Sequence, residues 1–406
     1  MAARLAGMAL QPARRAYWGV WAVFFGSGLM MAALASRMWV VREHLDATPG
    51  RMGVLLLFIS LGSICAMPFV GAIVARVGTA RMIRVTVAIG LAGLAGATAC
   101  IVAGAQAPTA AAMFVIGVGI GSCDVSMNLA GTDVEHALGR AVMPQFHAGF
   151  SLGTVAAALL GAACSRLGLP LADNIVVTIV LVIALVVWGA AGLLPHMGAI
   201  SGDAAAAAAP RPSALRAWRE GRTLLIGLLV LGVSLAEGSA NDWLILGIGQ
   251  DFAVPESVGI LGLACFLLAM TTMRALGTRL IDARGRLVTH LTCSTSALVG
   301  IAVYCFAPAV PIALAGAVLW GLGAAMGFPM GMSAAADDPA RAAVRTSVVS
   351  TIGYTAFLAG PPLLGLLADH VGYRHALLAV LVPVALGLVL TPALRPLSRT
   401  APAQAD

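Results

Sequence analysis

The stretch TLLIGLLVLGVSLAEGSANDWLILGI, residues 223–248, is apolar throughout except for a few polar side chains, chief among them Glu237, Asn241 and Asp242. About 20 such residues in a helix cross the hydrocarbon of a bilayer. A run of this length with a carboxylate near its middle reads as a membrane span, because a charge in that position is costly unless it faces protein or a water-filled cavity. Working outward in both directions, the same reading gives twelve spans, at 17–41, 52–75, 82–104, 109–132, 144–166, 173–195, 223–248, 257–278, 287–306, 311–335, 347–368 and 375–394. The expected fold class is all-α: a membrane protein of twelve transmembrane helices.

The bulk composition agrees. Hydrophobic residues make up 60% of the 406, charged residues 10%, and the mean hydropathy is +0.97, so there is too little charge to coat a soluble domain. The net charge is +7, and every basic residue other than histidine is arginine. Without lysine there is no Gly-rich Lys-Ser/Thr phosphate loop, which argues against ATP as a direct energy source, and Schiff-base chemistry is excluded. The arginines are scattered through short loops, so no nucleic-acid partner is expected. The seven cysteines lie in apolar stretches with no Cys-x-x-Cys pair, and no metal or cofactor is expected. The first apolar run is too long for a cleavable signal peptide and lacks a small-residue cleavage site.

Arginine placement sets the expected orientation. Arg4, Arg14 and Arg15, alternate loops (Arg76, Arg81, Arg84; Arg140; Arg211–Arg222; Arg279, Arg284, Arg286; Arg341, Arg345) and the tail (Arg395, Arg399) carry most of them. The opposite loops hold Arg42, Arg51, Arg166 and Arg374. Both termini are therefore expected in the cytoplasm, as an even number of spans requires, in an inner membrane of bacterial type.

The longest polar segment divides the chain into a half at 1–195, a linker at 196–222 and a half at 223–406. The halves resemble each other. An offset of 204 pairs Gly28 with Gly232, Gly117 with Gly321, Gly119 with Gly323, Asp133 with Asp337 and Gly168 with Gly372; an offset of 206 pairs Pro49 with Pro255. Parallel duplication of six spans is the architecture of carriers that rock two halves about a central site.

The chain resembles the major facilitator superfamily over its whole length. That family's loop motif, Gly-x-Leu-Ala-Asp-Arg-x-Gly-Arg-Lys, is matched in part by Gly71-Ala-Ile-Val-Ala-Arg76-Val-Gly78-Thr-Ala-Arg81, with Ala75 in place of the aspartate. The second-half loop keeps Asp282-Ala-Arg284-Gly285-Arg286. The resemblance implies gating roles for Arg76, Asp282 and Arg286. A narrower resemblance, to the fucose-permease-like group of bacterial carriers, rests on Cys123-Asp124-Val-Ser-Met-Asn128 with Glu135, on Phe146-His147-Ala-Gly-Phe-Ser151-Leu-Gly153, and on Glu237-Gly-Ser-Ala-Asn241-Asp242-Trp243.

Ionisable residues inside the spans are the functional candidates. Asp124, Asn128 and Glu135 share one helical face, with Asp124 expected deepest. Asp124 and Glu237 are read as proton-coupling groups, or as structural carboxylates. Glu135 is a loop charge or a gate contact. His147, at similar depth, pairs with Glu135 in a relay or latch, or bonds a carbonyl at the interface. Asn128 and Asn241 are candidate substrate ligands, and Gly238-Ser239-Ala240 would tolerate local unwinding. Trp243 is a stacking wall or an interface-belt tryptophan. Arg37 snorkels, pairs with Asp242 at an outer gate, or binds an anionic group; Arg274 is expected to snorkel. Gly149-Phe-Ser151-Leu-Gly153 fits a hydrolase nucleophile pattern, but that chemistry needs a strand-turn-helix elbow and the run is helical.

The reading is a non-enzymatic, monomeric secondary transporter that moves a small solute, a sugar or related metabolite, by proton symport. The alternatives are a proton antiporter that exports drugs or metabolites and a non-transporting membrane sensor.

Overall fold

The computed structural model describes residues 2–138, 142–194, 217–338 and 341–396. Of the expected linker, only residues 217–222 lie within that set. Among the described residues, eleven helices are long and apolar enough to cross a bilayer: Pro12–Ala35 (span one), Pro49–Gly71 (two), Thr79–Val102 (three), Gln106–Glu135 (four), Gln145–Arg166 (five), Leu171–Ala190 (six), Gly221–Asp251 (seven), Glu256–Gly277 (eight), Arg279–Phe306 (nine), Val310–Ala335 (ten) and Val344–Val371 (eleven). Tyr373–Val389 is a shorter apolar helix and forms span twelve. It is interrupted by a 3-10 segment, Leu377–Val380, and prolonged by another, Thr391–Leu394. The described residues contain no strand. A helix satisfies its backbone within itself, which lipid demands.

An even number of crossings returns the chain to the face it started from. That face is called the terminal end, and the opposite face the distal end.

The internal repeat is visible in the backbone. Asp46 and Ala253 take positive φ (43° and 51°) just before the prolines that open spans two and eight. Gly78 (81°) turns the chain between spans two and three, and its repeat counterpart Gly285 (81°) kinks the helix Glu256–Phe306 near the start of span nine; Gly168 and Gly372 (66° and 79°) turn the chain from five to six and from eleven to twelve. A side chain is disfavoured in that conformation, so these positions mark where the chain must reverse tightly.

The repeat is also visible in the packing. Hydrophobicity does not drive one helix onto another in lipid, so close backbone approach through small residues does much of the work. Gly117 of span four lies on the carbonyl of Ile59 in span two, and its repeat mate Gly321 of span ten lies on the carbonyl of Phe266 in span eight. Gly119 meets Gly90 of span three, and Gly323 meets Ala297 of span nine. Gly28 and Gly232 do not follow this rule: Gly28 faces Phe150 of span five, whereas Gly232 faces Pro383 of span twelve.

One expectation about helix continuity, the unbroken span at 311–335, is corrected. Span seven runs unbroken through Gly238-Ser239-Ala240, because those small residues are used for packing, with Gly238 against Phe357. The break falls in span ten, between helices Val310–Ala324 and Gly327–Ala335. Pro329 has no amide hydrogen to donate to the carbonyl of Ala325, four residues earlier, so the helical ladder is interrupted there.

The halves meet at the distal end and at mid-depth. The amide of Gly50, at the start of span two, donates to both carboxylate oxygens of Asp369 at the end of span eleven, each at 3.1 Å. Gly53 packs on Pro361 and Pro362, and further in the hydroxyl of Ser60 donates to the carbonyl of Phe357 at 2.7 Å. An apolar groove of about 460 Å³ between spans one, five and six, walled by Phe25, Leu160, Leu181 and Trp188, lies apart from this seam.

Gly117→Val would drive a methyl into the Ile59 carbonyl. Overpacking of this kind costs about 1–3 kcal/mol. The purified variant is expected to unfold at a clearly lower temperature than the parent, and an unchanged midpoint would refute this account of the span two–span four crossing.

Candidate functional site

The site is assembled at mid-depth from both halves. In span four, Asn128 donates from Nδ2 to the Asp124 carbonyl (2.8 Å) and to its carboxylate Oδ1 (3.2 Å). The i, i+4 spacing thus does place the two on one face. Asp124 is half-buried rather than sealed. Ser151, on span five of the same half, is 1% exposed. The Gly-x-Ser-x-Gly run that contains it is helical, and Gly153 is spent on the crossing with span one, against the carbonyl of Phe25.

The facing half supplies Glu237 from span seven and Arg274 from span eight. Arg274 Nη2 donates to Glu237 Oε2 at 2.9 Å and Oε1 at 3.1 Å. Its Nε donates to the carbonyl of Ala325 at 3.3 Å, the acceptor that Pro329 leaves without a helical donor. Its Nη1 reaches Ser151 Oγ, across the divide between halves, at 3.4 Å. The expectation that Arg274 snorkels to the interface is corrected. A carboxylate, an orphan carbonyl and a hydroxyl hold it inside, and the side chains of Arg274 and Glu237 are only 25% and 20% exposed. Pro329, four residues after Ala325, was the available sequence signal, but it identifies the free carbonyl and not the donor that finds it.

Aromatic rings form one wall. Tyr354 of span eleven lies between Phe328 (6.1 Å between ring centres) and Phe357 (6.2 Å), and it is within electrostatic reach of both Asp124 and Glu237. Sequence reading did not single out Tyr354, since one tyrosine in an apolar span carries no pattern. His147 is exposed, lies edge-on to Phe24 with ring centres 5.3 Å apart, and is within electrostatic reach of Arg274. The expected pairing of His147 with Glu135 does not form. The Glu135 carboxylate instead accepts from the amide of Met143 at 3.1 Å, where an acidic group complements the amino end of the following helix. Asn241 donates one amide hydrogen back to the Glu237 carbonyl at 3.0 Å, within its own helix.

At the distal end, Arg37 is 3% exposed and bridges the halves. Its partner is not Asp242, as expected, but Glu256 at the start of span eight (3.3 Å), and it also donates to the carbonyl of Leu169 at 3.2 Å. Asp242 makes no hydrogen bond or ion pair among the described residues. Trp243 is 1% exposed and packs on Tyr373 with ring centres 5.8 Å apart, so it is neither an open stacking wall nor an interface-belt residue here.

The terminal end of the second half carries a charge cluster. Asp337 takes Arg222 at 2.8 Å and Arg286 at 3.0 Å, and Arg222 also donates to the carbonyls of Ala334, Ala393 and Arg395. Arg76 and Asp282, the other gating candidates, are exposed and stand outside this cluster. Burial pushes the Asp337 carboxyl up, but hydrogen bonds from Arg286 and Arg222 outweigh it, and the net displacement is below the ordinary carboxylate value of 3.8. Glu220, bonded by Arg345, Thr223 and Arg341, is likewise held low. Among the described residues no group of three or more His, Cys, Asp or Glu converges to hold a metal ion.

A carboxylate with a depressed folded pKa stabilises the fold above its unfolded value, and the contribution is lost as pH falls through the folded value. Asp337 should therefore contribute fully at neutral pH and lose its contribution below pH 3.8. Asp337→Asn is expected to lower the unfolding temperature at pH 7 and to narrow its gap to the parent on acidification; a gap that stays constant with pH would count against the cluster. At the distal end, Arg37→Ala should speed alkylation from that side of a cysteine substituted at Asn241. An unchanged rate would show that the Arg37–Glu256 bridge does not hold the halves together there.

Residues 224–406 match the profile of the Major Facilitator Superfamily. An uncharacterized MFS-type transporter of Yersinia pestis is 32% identical over 378 residues, covering 91% of this chain and 93% of that protein. An uncharacterized transporter of Sinorhizobium fredii is 32% identical and covers 90% of this chain and 97% of its own length. Among solved structures, the fold is similar to a point mutant of the nucleoside transporter NupG, with a TM-score of 0.74 at 13% identity over 94% of this chain and 99% of that one. It is also similar to a point mutant of the E. coli fucose:proton symporter FucP, with a TM-score of 0.60 at 13% identity over 93% and 98%. Twelve apolar helices in a duplicated arrangement and a full-length relative at this identity agree: the chain belongs to the major facilitator superfamily and is a multi-pass membrane transporter.

Proposed function

We propose that this transporter is a proton-coupled symporter that moves a small solute across an inner membrane, with Asp124 and Glu237 as the proton-carrying groups and the solute held between halves 1–195 and 223–406. The observation that carries the reading is the Glu237–Arg274 pair, which is tied through Arg274 to Ser151 of the other half. Protonation of Glu237 removes the charge that holds Arg274, so occupancy by a proton and the contact between halves are mechanically linked. Asp124 supplies a second half-buried carboxylate on the opposite wall. The arginine bias supports cytoplasmic termini. The distal end, held by Arg37–Glu256 and Gly50–Asp369, would then face outward and be shut in this conformation.

The energetics are adequate. Each pH unit is worth about 1.4 kcal/mol per proton, enough to concentrate a solute about tenfold, and a potential of 100 mV adds about 2.3 kcal/mol where the proton carries net charge across. The likeness of the fold to FucP, a fucose:proton symporter, and to NupG, a nucleoside transporter, supports a small solute that carries a ring or hydroxyl groups. The aromatic wall of Phe328, Tyr354 and Phe357 suits such a body.

In liposomes, an inward proton gradient is expected to drive uphill uptake. Asp124→Asn and Glu237→Gln should each cut that uptake at least tenfold while leaving solute exchange at equal pH. Uphill transport that survives both substitutions would remove these residues from the coupling mechanism, and efflux driven by the inward gradient, or uptake driven by an outward one, would replace symport with antiport.

A further inference from the structure

The Glu237–Arg274 geometry leaves part of the arginine unused. A guanidinium recognises carboxylates best through a fork, with two parallel N–H bonds from two nitrogens. Glu237 does not take the fork, because both of its oxygens sit on Nη2, at 2.9 and 3.1 Å. Nε is spent on Ala325, and Nη1 makes only the 3.4 Å contact with Ser151. Nη1 is thus nearly free, and the whole Nη1–Nη2 edge opens once Glu237 releases Nη2, on a side chain 25% exposed.

We propose that this edge docks the carboxylate of a small monocarboxylate solute, which replaces Glu237 as the partner of Arg274 when Glu237 takes up a proton. The proposal rests on the proton-coupled reading above and names the substrate class of the same site. Charge conservation supports it. A bare charge in a membrane cavity is costly. When a proton and a monoanion enter together, the net charge around Arg274 stays as it was, and the guanidinium exchanges one carboxylate for another. A neutral solute would leave Arg274 without a counter-charge once Glu237 is protonated. Ser151 Oγ, already beside Nη1, is placed to donate to the second oxygen of the solute, and Phe328, Tyr354 and Phe357 offer faces for its carbon skeleton. The other titratable groups facing this point are His147 from span five, Asp124 from span four and Tyr354 from span eleven; span ten contributes the Ala325 carbonyl.

The test compares benzoate with its neutral isostere benzamide by calorimetry and thermal unfolding of the purified full chain at pH 5.5 and 7.5. Benzoate should bind and stabilise the parent protein, more strongly at pH 5.5, and benzamide should not. In Glu237→Gln, which mimics the protonated state, the pH dependence of benzoate affinity should shrink relative to the parent, any remainder coming from His147 and Asp124. Arg274→Lys, which keeps the charge but loses the fork, should weaken benzoate at least tenfold. Equal effects of benzoate and benzamide on the parent overturn the proposal without reference to any variant, and so does an Arg274→Lys protein that is folded and binds benzoate unchanged. If a pH gradient drives uphill uptake of neutral fucose and benzoate neither binds nor competes, the coupling reading stands and the carboxylate site falls. If benzoate binds as described but no gradient drives its flux, the site stands and the coupling falls.

Discussion

A charge inside a bilayer must be answered by another charge or by well-placed dipoles, and in this protein Arg274 is where that demand is met. Its guanidinium collects a carboxylate from span seven, a carbonyl from the broken segment of span ten and a hydroxyl from the opposite half. Each of those partners is itself a liability in lipid. Glu237 is an acid, the Ala325 carbonyl has lost its helical donor to Pro329, and Ser151 is almost fully buried. One side chain addresses all three, so the local break in span ten, the pairing of spans seven and eight and the seam between halves are not independent features.

The remainder of the bundle is built to bring those groups to one depth. Glycines placed at equivalent points of the two halves let span four close on spans two and three, and span ten on spans eight and nine. At the distal end a second set of polar contacts, Arg37 with Glu256 and Gly50 with Asp369, joins the halves by bonds that can open and re-form. Cross-half seams made of ion pairs, caps and single hydroxyl bonds suit a molecule whose halves must separate, because such contacts exchange with water at small net cost, unlike an interlocked apolar core. The charge cluster of Arg222, Asp337 and Arg286 ties the starts of spans seven and nine to the end of span ten, and belongs wholly to one half.

Several expectations failed for one shared reason, which is that spacing along a helix gives a face but not a partner. Asp124 and Asn128 were legible together because i, i+4 contact is a local property of the helix. Glu135 and His147 were placed at similar depth, yet Glu135 had a nearer donor in the exposed amide of Met143. Arg37 and Asp242 were expected together at an outer gate, yet Glu256 at the head of the next helix reached Arg37 instead. Trp243 looked like an interface residue by position and proved to be enclosed against Tyr373.

The sequence by itself determined the span count, the duplicated plan, the superfamily and the small set of intramembrane polar residues. Each of these follows from local properties: run length against bilayer thickness, glycine and proline at repeated offsets, and the rarity of charge in lipid. Only the tertiary structure decided which polar groups meet. Arg274 reads in sequence as a cation near a helix end, free to reach the interface. Its inward direction depends on Pro329, on a carboxylate from span seven and on a serine more than a hundred residues away, and no local pattern encodes contacts of that range.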